Sequence, residues 1–225
     1  MPGAAAPGFF GKVRSHGDFV GRRLPHDMRA ALDAWLQGGL LQSRHDLGAA
    51  WQPTWLSSPL WRFMLAPGLC GAQAWAGVMM PSVDRVGRCF PLVLAAPFER
   101  APSLPDCLTR HAAWFVRLED IALSSLDDDF SLEVFDAALL ALEGAPSAHD
   151  PAAAAPASGQ PTVAALDGGV PPALAFDAMV GASAWWGDGS ALVAPCLARC
   201  GGLPAPQQFA ALLDGGWSMR GWVRR

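Results

Sequence analysis

Tyrosine is absent from the 225-residue sequence, and lysine occurs once, at Lys12. Phenol-based chemistry is therefore excluded, and fifteen of the sixteen cations are arginine. Charge is scarce as well, at 16 % of residues, against 52 % hydrophobic. A chain this apolar and this sparsely charged is not disordered along its length. No apolar window approaches the ~18 uninterrupted residues that a membrane helix needs, so no membrane insertion is expected. Met1 to Gly11 shows no basic stretch followed by an apolar one, so no secretory leader is expected there. The five cysteines are odd in number and scattered, which fits a reducing cytoplasm and no disulfide framework.

The same cysteines make a poor metal site. Cys196 and Cys200 lie four apart, but Cys70, Cys89 and Cys107 form no second close pair and no histidine neighbours Cys196. Structural zinc needs about four ligands, usually as two close pairs. Neither metal nor cofactor is expected. A phosphate-cradling P-loop, a G-x-G-x-x-G turn after a strand and a G-x-S-x-G elbow are all missing. Four of the five histidines sit on predicted helices or in the Ala/Pro-rich stretch described below, which leaves little for nucleophilic catalysis.

What the chain does have is tryptophan, ten of them, and a lopsided charge. Residues 1–100 carry ten basic and six acidic groups, and residues 101–225 carry six and fourteen. The net charge of −4 gives no general reason to bind nucleic acid.

Phe9 to Val13 reads as a short strand, followed by turn residues Ser15-His16-Gly17-Asp18. Met28, Leu32, Trp35, Leu36, Leu40 and Leu41 have helical spacing after Pro25, and the helix runs to about Leu47. Gly38 and Gly39 tax it by roughly 1 kcal/mol each. Trp55 to Leu65, Gln73 to Pro81 and Cys89 to Ala96 are apolar runs of strand length, although Trp61 to Leu65 also suits a helical turn. Their connections are too short for crossover helices, so neighbours pair antiparallel. Leu104 to Leu126 is helical by periodicity, and Ser131 caps a second helix that buries Phe135, Leu139, Leu140 and Leu142. From Gly144 to about Pro172 the sequence turns Ala/Pro-rich, and residues 144–172 are expected to be a flexible insertion. Ser183 to Trp186 and Ala191 to Pro195 suggest two strands about Gly187-Asp188-Gly189, and Pro206 to Leu213 a last helix closed by Gly215. This C-terminal piece is too small for its own core, so it should complete the first sheet and give one domain over 1–225.

Two polar clusters border strand ends: Lys12, Arg14, Asp18, Arg22 and Arg23, then Ser82, Asp84, Arg85 and Arg88. Arginine forks recognise carboxylates and phosphates. If their strands are sheet neighbours, Lys12, Arg14, Asp18, Arg22, Ser82, Asp84, Arg85 and Arg88 form one partner-binding patch, with Asp18 and Asp84 orienting arginines. In the alternative, Asp84 is buried scaffolding that satisfies an arginine and loop backbone.

The chain resembles the TagF (ImpM) family, proteins associated with bacterial type VI secretion. The resemblance rests on Gly8-Phe9-Phe10-Gly11-Lys12 with Gly17-Asp18-Phe19-Val20, on Ala34-Trp35-Leu36-Gln37, on Ser58-Pro59-Leu60-Trp61-Arg62-Phe63 and on Gly68 to Gly77. It is densest in Met80-Pro81-Ser82-Val83-Asp84-Arg85-Val86-Gly87-Arg88 with Phe90-Pro91-Leu92, and it returns in Ser183-Ala184-Trp185-Trp186, Gly202-Leu203-Pro204 and Phe209 to Trp217. Val13, Arg14 and His16 depart from the family's GKLPSRGDF, and Cys89 stands where an aromatic is usual. The resemblance implies a non-catalytic cytoplasmic repressor that binds a forkhead-associated scaffold protein. It also implies a three-layer α/β/α sandwich around a mixed, largely antiparallel sheet, in agreement with the short strand connections and flanking helices. The rivals are a small enzyme using Asp84, Arg85 and Arg88 on phosphorylated ligands, and a structural subunit of the secretion apparatus.

Overall fold

A computed structural model of the chain describes residues 6–98, 103–143, 160–166 and 180–225. Nine strands form one sheet: β1 (Gly8–Gly11), β2 (Val20–Arg22), β3 (Trp61–Leu65), β4 (Ala74–Met80), β5 (Leu92–Phe98), β6 (Thr162–Ala165), β7 (Ala182–Gly187), β8 (Cys196–Gly201) and β9 (Val223–Arg224). They lie in the order β2-β1-β5-β4-β3-β7-β8-β6-β9. Every pairing is antiparallel except β6 with β9, so the sheet is mixed and largely antiparallel, as expected.

Helices cover both faces. One carries α1 (His26–Leu47), α2 (Trp51–Leu56), α6 (Pro206–Phe209) and α7 (Ala211–Asp214); the other carries α3 (Leu104–Leu108), α4 (Ala112–Ser124) and α5 (Leu132–Leu140). Alternate strand residues separate the two cores, because successive side chains of a strand point to opposite faces. Phe63, Trp75, Val93 and Trp185 meet Met28, Leu32, Leu36 and Phe209 on the first face. Met64, Ala76, Leu94 and Trp186 meet Trp114, Phe115, Leu118 and Phe135 on the second. All seven residues of β4 are buried, which explains why it reads as an unbroken apolar run rather than an alternating one. Gly77 sits at its centre because a Cβ there would lie 2.0 Å from the Leu94 carbonyl oxygen on β5.

Several elements differ from the sequence expectation. The run from Trp55 splits into helical α2 and strand β3, since Trp51 and Trp55 stack at 5.7 Å only in helical spacing. Leu104 to Leu126 breaks at Thr109, whose hydroxyl bonds back to the Pro105 carbonyl. The strand after the Gly187 turn is Cys196–Gly201, not Ala191 to Pro195, which instead closes a loop through a 2.7 Å bond from the Ser190 amide to Val193 O. Leu140 is 56 % exposed rather than buried. Within the stretch 144–172 read as an insertion, Thr162–Ala165 is strand β6, stabilised by its ladder with β8 and by burial of Val163. The rest of that stretch, apart from residues 160–166, lies outside the described residues. No helix among the described residues is long and apolar enough to cross a membrane.

Candidate functional site

The antiparallel pairs β1·β5 and β4·β5 bring the β1–β2 loop and the β4–β5 loop to the same end of the sheet: Gly11 closes β1 opposite Leu92, and Met80 closes β4 opposite the same residue. The two predicted clusters therefore do meet.

Asp84 organises the meeting. Its Oδ1 accepts the amides of Val86 at 3.0 Å and Arg88 at 2.9 Å, while its Oδ2 accepts Lys12 Nζ at 2.9 Å and Arg88 Nε at 2.6 Å. Gly87, with φ 82°, completes the turn by donating its amide to the Asp84 carbonyl. Across the gap, the Arg85 amide donates to His16 O at 2.9 Å and Arg88 Nη2 to Gly17 O at 2.5 Å. Beneath, Lys12 lies 5.2 Å from the Phe19 ring, and Phe10, Phe19 and Phe90 pack on one another. Burial alone would raise the Asp84 carboxyl, but the bonds from Lys12, Arg88 and Val86 outweigh it and hold the carboxyl far below the usual range.

The eight predicted residues thus separate. Lys12, Ser82 and Asp84 are buried; Lys12 and Asp84 tie the two loops together through their ion pair, and Ser82 contributes its carbonyl, which accepts from Trp55 Nε1 and the Phe90 amide. Arg22 turns away toward α5, where it reaches Asp136 at 2.6 Å. Arg23, in a left-handed turn at φ 63°, reaches the same carboxylate from the other side. Asp18 accepts its neighbour Phe19's amide instead of orienting an arginine, so only Asp84 plays that role. Arg14, Asp18, Arg85 and Arg88 remain exposed, together with Phe19 and Val86, which are 43 % and 68 % exposed. Among the described residues the guanidinium groups of Arg14 and Arg85 make no ion pair.

Sequence reasoning missed what lies beside this face. An open cleft of about 720 Å³ runs between the start of α2 and the β4–β5 loop, lined by Arg44, Trp51, Gln52, Gly87, Arg88 and Cys89. The Arg44 guanidinium lies 4.2 Å over the Trp51 ring, whose Nε1 donates to Ser43 Oγ, and Trp55 Nε1 donates to Ser82 O. The available signal was Trp51 and Trp55 at i, i+4, which the strand reading of that run overrode. A second charged cluster, Arg62 bidentate on Glu119 at 2.7 Å and on Asp188 at 3.0 Å, braces β3 against α4 and the β7–β8 turn. Cys196 and Cys200 are buried, and burial pushes their thiols up to about 12 and about 11.

The carboxylates carry a pH prediction. Burial opposes ionisation of Asp136, but Arg22 and Arg23 lower its carboxyl below the ordinary value, as at Asp84. A depressed folded value means stability present in full above about pH 4 and lost as pH falls toward the folded value. Glu119, raised by burial, acts in the opposite sense, since its protonation favours the folded state. The melting temperature should hold from neutrality to about pH 5 and decline below about pH 4. Asp136→Asn should melt lower at neutrality and show a smaller acid decline; an unchanged decline would show that Asp136 is uncoupled from acid stability.

Against known proteins, the chain is similar over residues 8–142 to the TagF N-terminal domain, type VI secretion system-associated. It is also similar to the crystal structure of PA0076 from Pseudomonas aeruginosa PAO1, with 38 % identity over 93 % of this chain and 94 % of that one, at a TM-score of 0.78. No curated protein matches it.

Proposed function

This chain belongs to the TagF family of type VI secretion system-associated proteins, and from that premise we propose that it is a cytoplasmic negative regulator of that system, acting after translation by binding a protein partner. The partner we propose is the system's forkhead-associated scaffold component, and the role is binding rather than catalysis. One observation carries this reading. The loops at one end of the sheet hold Arg14 and Arg85, which make no ion pair among the described residues, with Arg88, around exposed Phe19 and Val86 on a frame locked by Asp84. Cations around an apolar centre on rigidly held loops suit a protein interface. A catalytic use of Asp84 is disfavoured because its carboxylate is spent on four hydrogen bonds within the loop pair.

Arg88 is a poor probe, since a glutamate there would face buried Asp84. The doubly reversed Arg14→Glu/Arg85→Glu variant breaks no side-chain bond among the described residues. Tagged protein in secretion-competent cells should capture the scaffold component, and the variant should capture about tenfold less, release secretion and melt within about 2 °C of the parent. Undiminished capture and repression by the variant would remove this face from the function.

A further inference from the structure

The cleft beside the docking face offers a chemistry of its own. Arg44 stands near the C-terminal end of α1 and, among the described residues, has no carboxylate partner. It is not loose, because its guanidinium lies 4.2 Å over the Trp51 ring, and Trp51 is tied to Ser43 and stacked on Trp55. A cation held over an aromatic ring loses little side-chain freedom when an anion arrives. On the facing wall, Arg88 is fixed by its Nε bond to Asp84 and its Nη2 bond to Gly17 O, which leaves Nη1 uncommitted among the described residues. Arg44 and Arg88 thus both line one open cleft in a chain whose net charge is −4. Such local reversal of sign is how a surface selects and steers an acidic partner.

We infer that the cleft between Arg44 and Arg88 receives an acidic side chain from a peptide segment of a protein partner, its methylenes lying along Trp51 and its carboxylate between the two arginines. The open shape and the half-apolar walls of Trp51, Ala49 and Cys89 suit a side chain presented by a peptide better than a free oxyanion, which would need donors on all sides. The inference rests on the docking proposal only for the claim that this end of the sheet meets a partner.

Cys89 supplies the readout. It lines the cleft and is half-buried, whereas Cys70, Cys107, Cys196 and Cys200 are buried. Alkylation of the native protein by iodoacetamide should therefore fall on Cys89, with Cys89→Ser as the blank. A capped hexaglutamate peptide at ~1 mM and ~50 mM salt should slow alkylation about threefold, and added salt should remove the effect. Arg44→Glu and the milder Arg44→Gln should each abolish the protection, measured as the ratio of rates with and without peptide, while retaining the parent's melting temperature within a few degrees. No protection of the parent protein would overturn the inference. Equal protection by inorganic phosphate at the same concentration would also overturn it, by showing a general oxyanion site, and protection that survives both Arg44 variants would place the peptide elsewhere. Loss of scaffold capture in Arg14→Glu/Arg85→Glu without any peptide protection would defeat the cleft and leave the docking face standing. Protection without that loss would defeat the docking face alone.

Discussion

Asp84→Ala is expected to lower the melting temperature by about 10 °C and to abolish partner capture in the same variant. The side chain is 2 % exposed and accepts four hydrogen bonds. Its removal strands Lys12, itself 7 % exposed, as an unpaired buried ammonium. It also leaves the Val86 and Arg88 amides without their acceptor and frees Arg88 from the position that ties it to Gly17 O. A buried charge deprived of its partner is among the costliest of single substitutions. Asp84→Asn should fall between the parent and the alanine variant, since an amide still accepts at one atom but cannot neutralise Lys12. Arg85→Glu, one residue away and exposed, should melt with the parent. A melting temperature for Asp84→Ala within about 2 °C of the parent would show that the loops hold together without the carboxylate.

Trp185→Ala should cost about 4 kcal/mol, or roughly 10 °C, in one transition. The ring is 1 % exposed and lies 5.1 Å from Trp35 on α1 and 5.3 Å from Phe63 on β3. Its indole N–H donates to Ser183 Oγ. Trp185 lies on β7, beyond residues 8–142 of the family match, yet β7 pairs with β3 and its ring fills the core beneath α1. Loss of the ring removes packing from both parts of the sheet together. Two separated thermal transitions, or a loss below about 1 kcal/mol, would mean that the C-terminal strands are not integral to the first core.

Much of the frame was legible because it follows local periodicity. Met28, Leu32, Leu36 and Leu40 recur at helical spacing, and all four are buried on one side of α1. The apolar runs of β4 and β5 announced strands by their length, and their short connections announced antiparallel pairing. Where local signals were short or ambiguous, the surroundings decided. Residues 51–56 form a helix because Trp51 and Trp55 find their packing in that spacing, with Pro53 tolerated in its first turn. Thr162–Ala165 looks like its Ala/Pro-rich flanks and becomes a strand only because β8 and β9 supply its ladder.

The sequence carried the family resemblance in its motifs, and with it the expectation of a layered α/β plan; residue spacing and connection length, which are local along the chain, added the long helix and the antiparallel strand neighbours. The meeting of the two polar loops stayed conditional in the sequence, because it needs β1 to pair with β5, a strand about eighty residues further on. Only the tertiary structure decided which charges face inward. Asp84 is buried and Arg85 exposed, although they are adjacent in the sequence. Arg22 pairs with a carboxylate 114 residues away, and Lys12 with one 72 residues away. A charge enters a protein interior only where a partner and hydrogen bonds offset its lost hydration. Those partners come from distant segments, so the division between buried and exposed charges does not exist until the chain has folded.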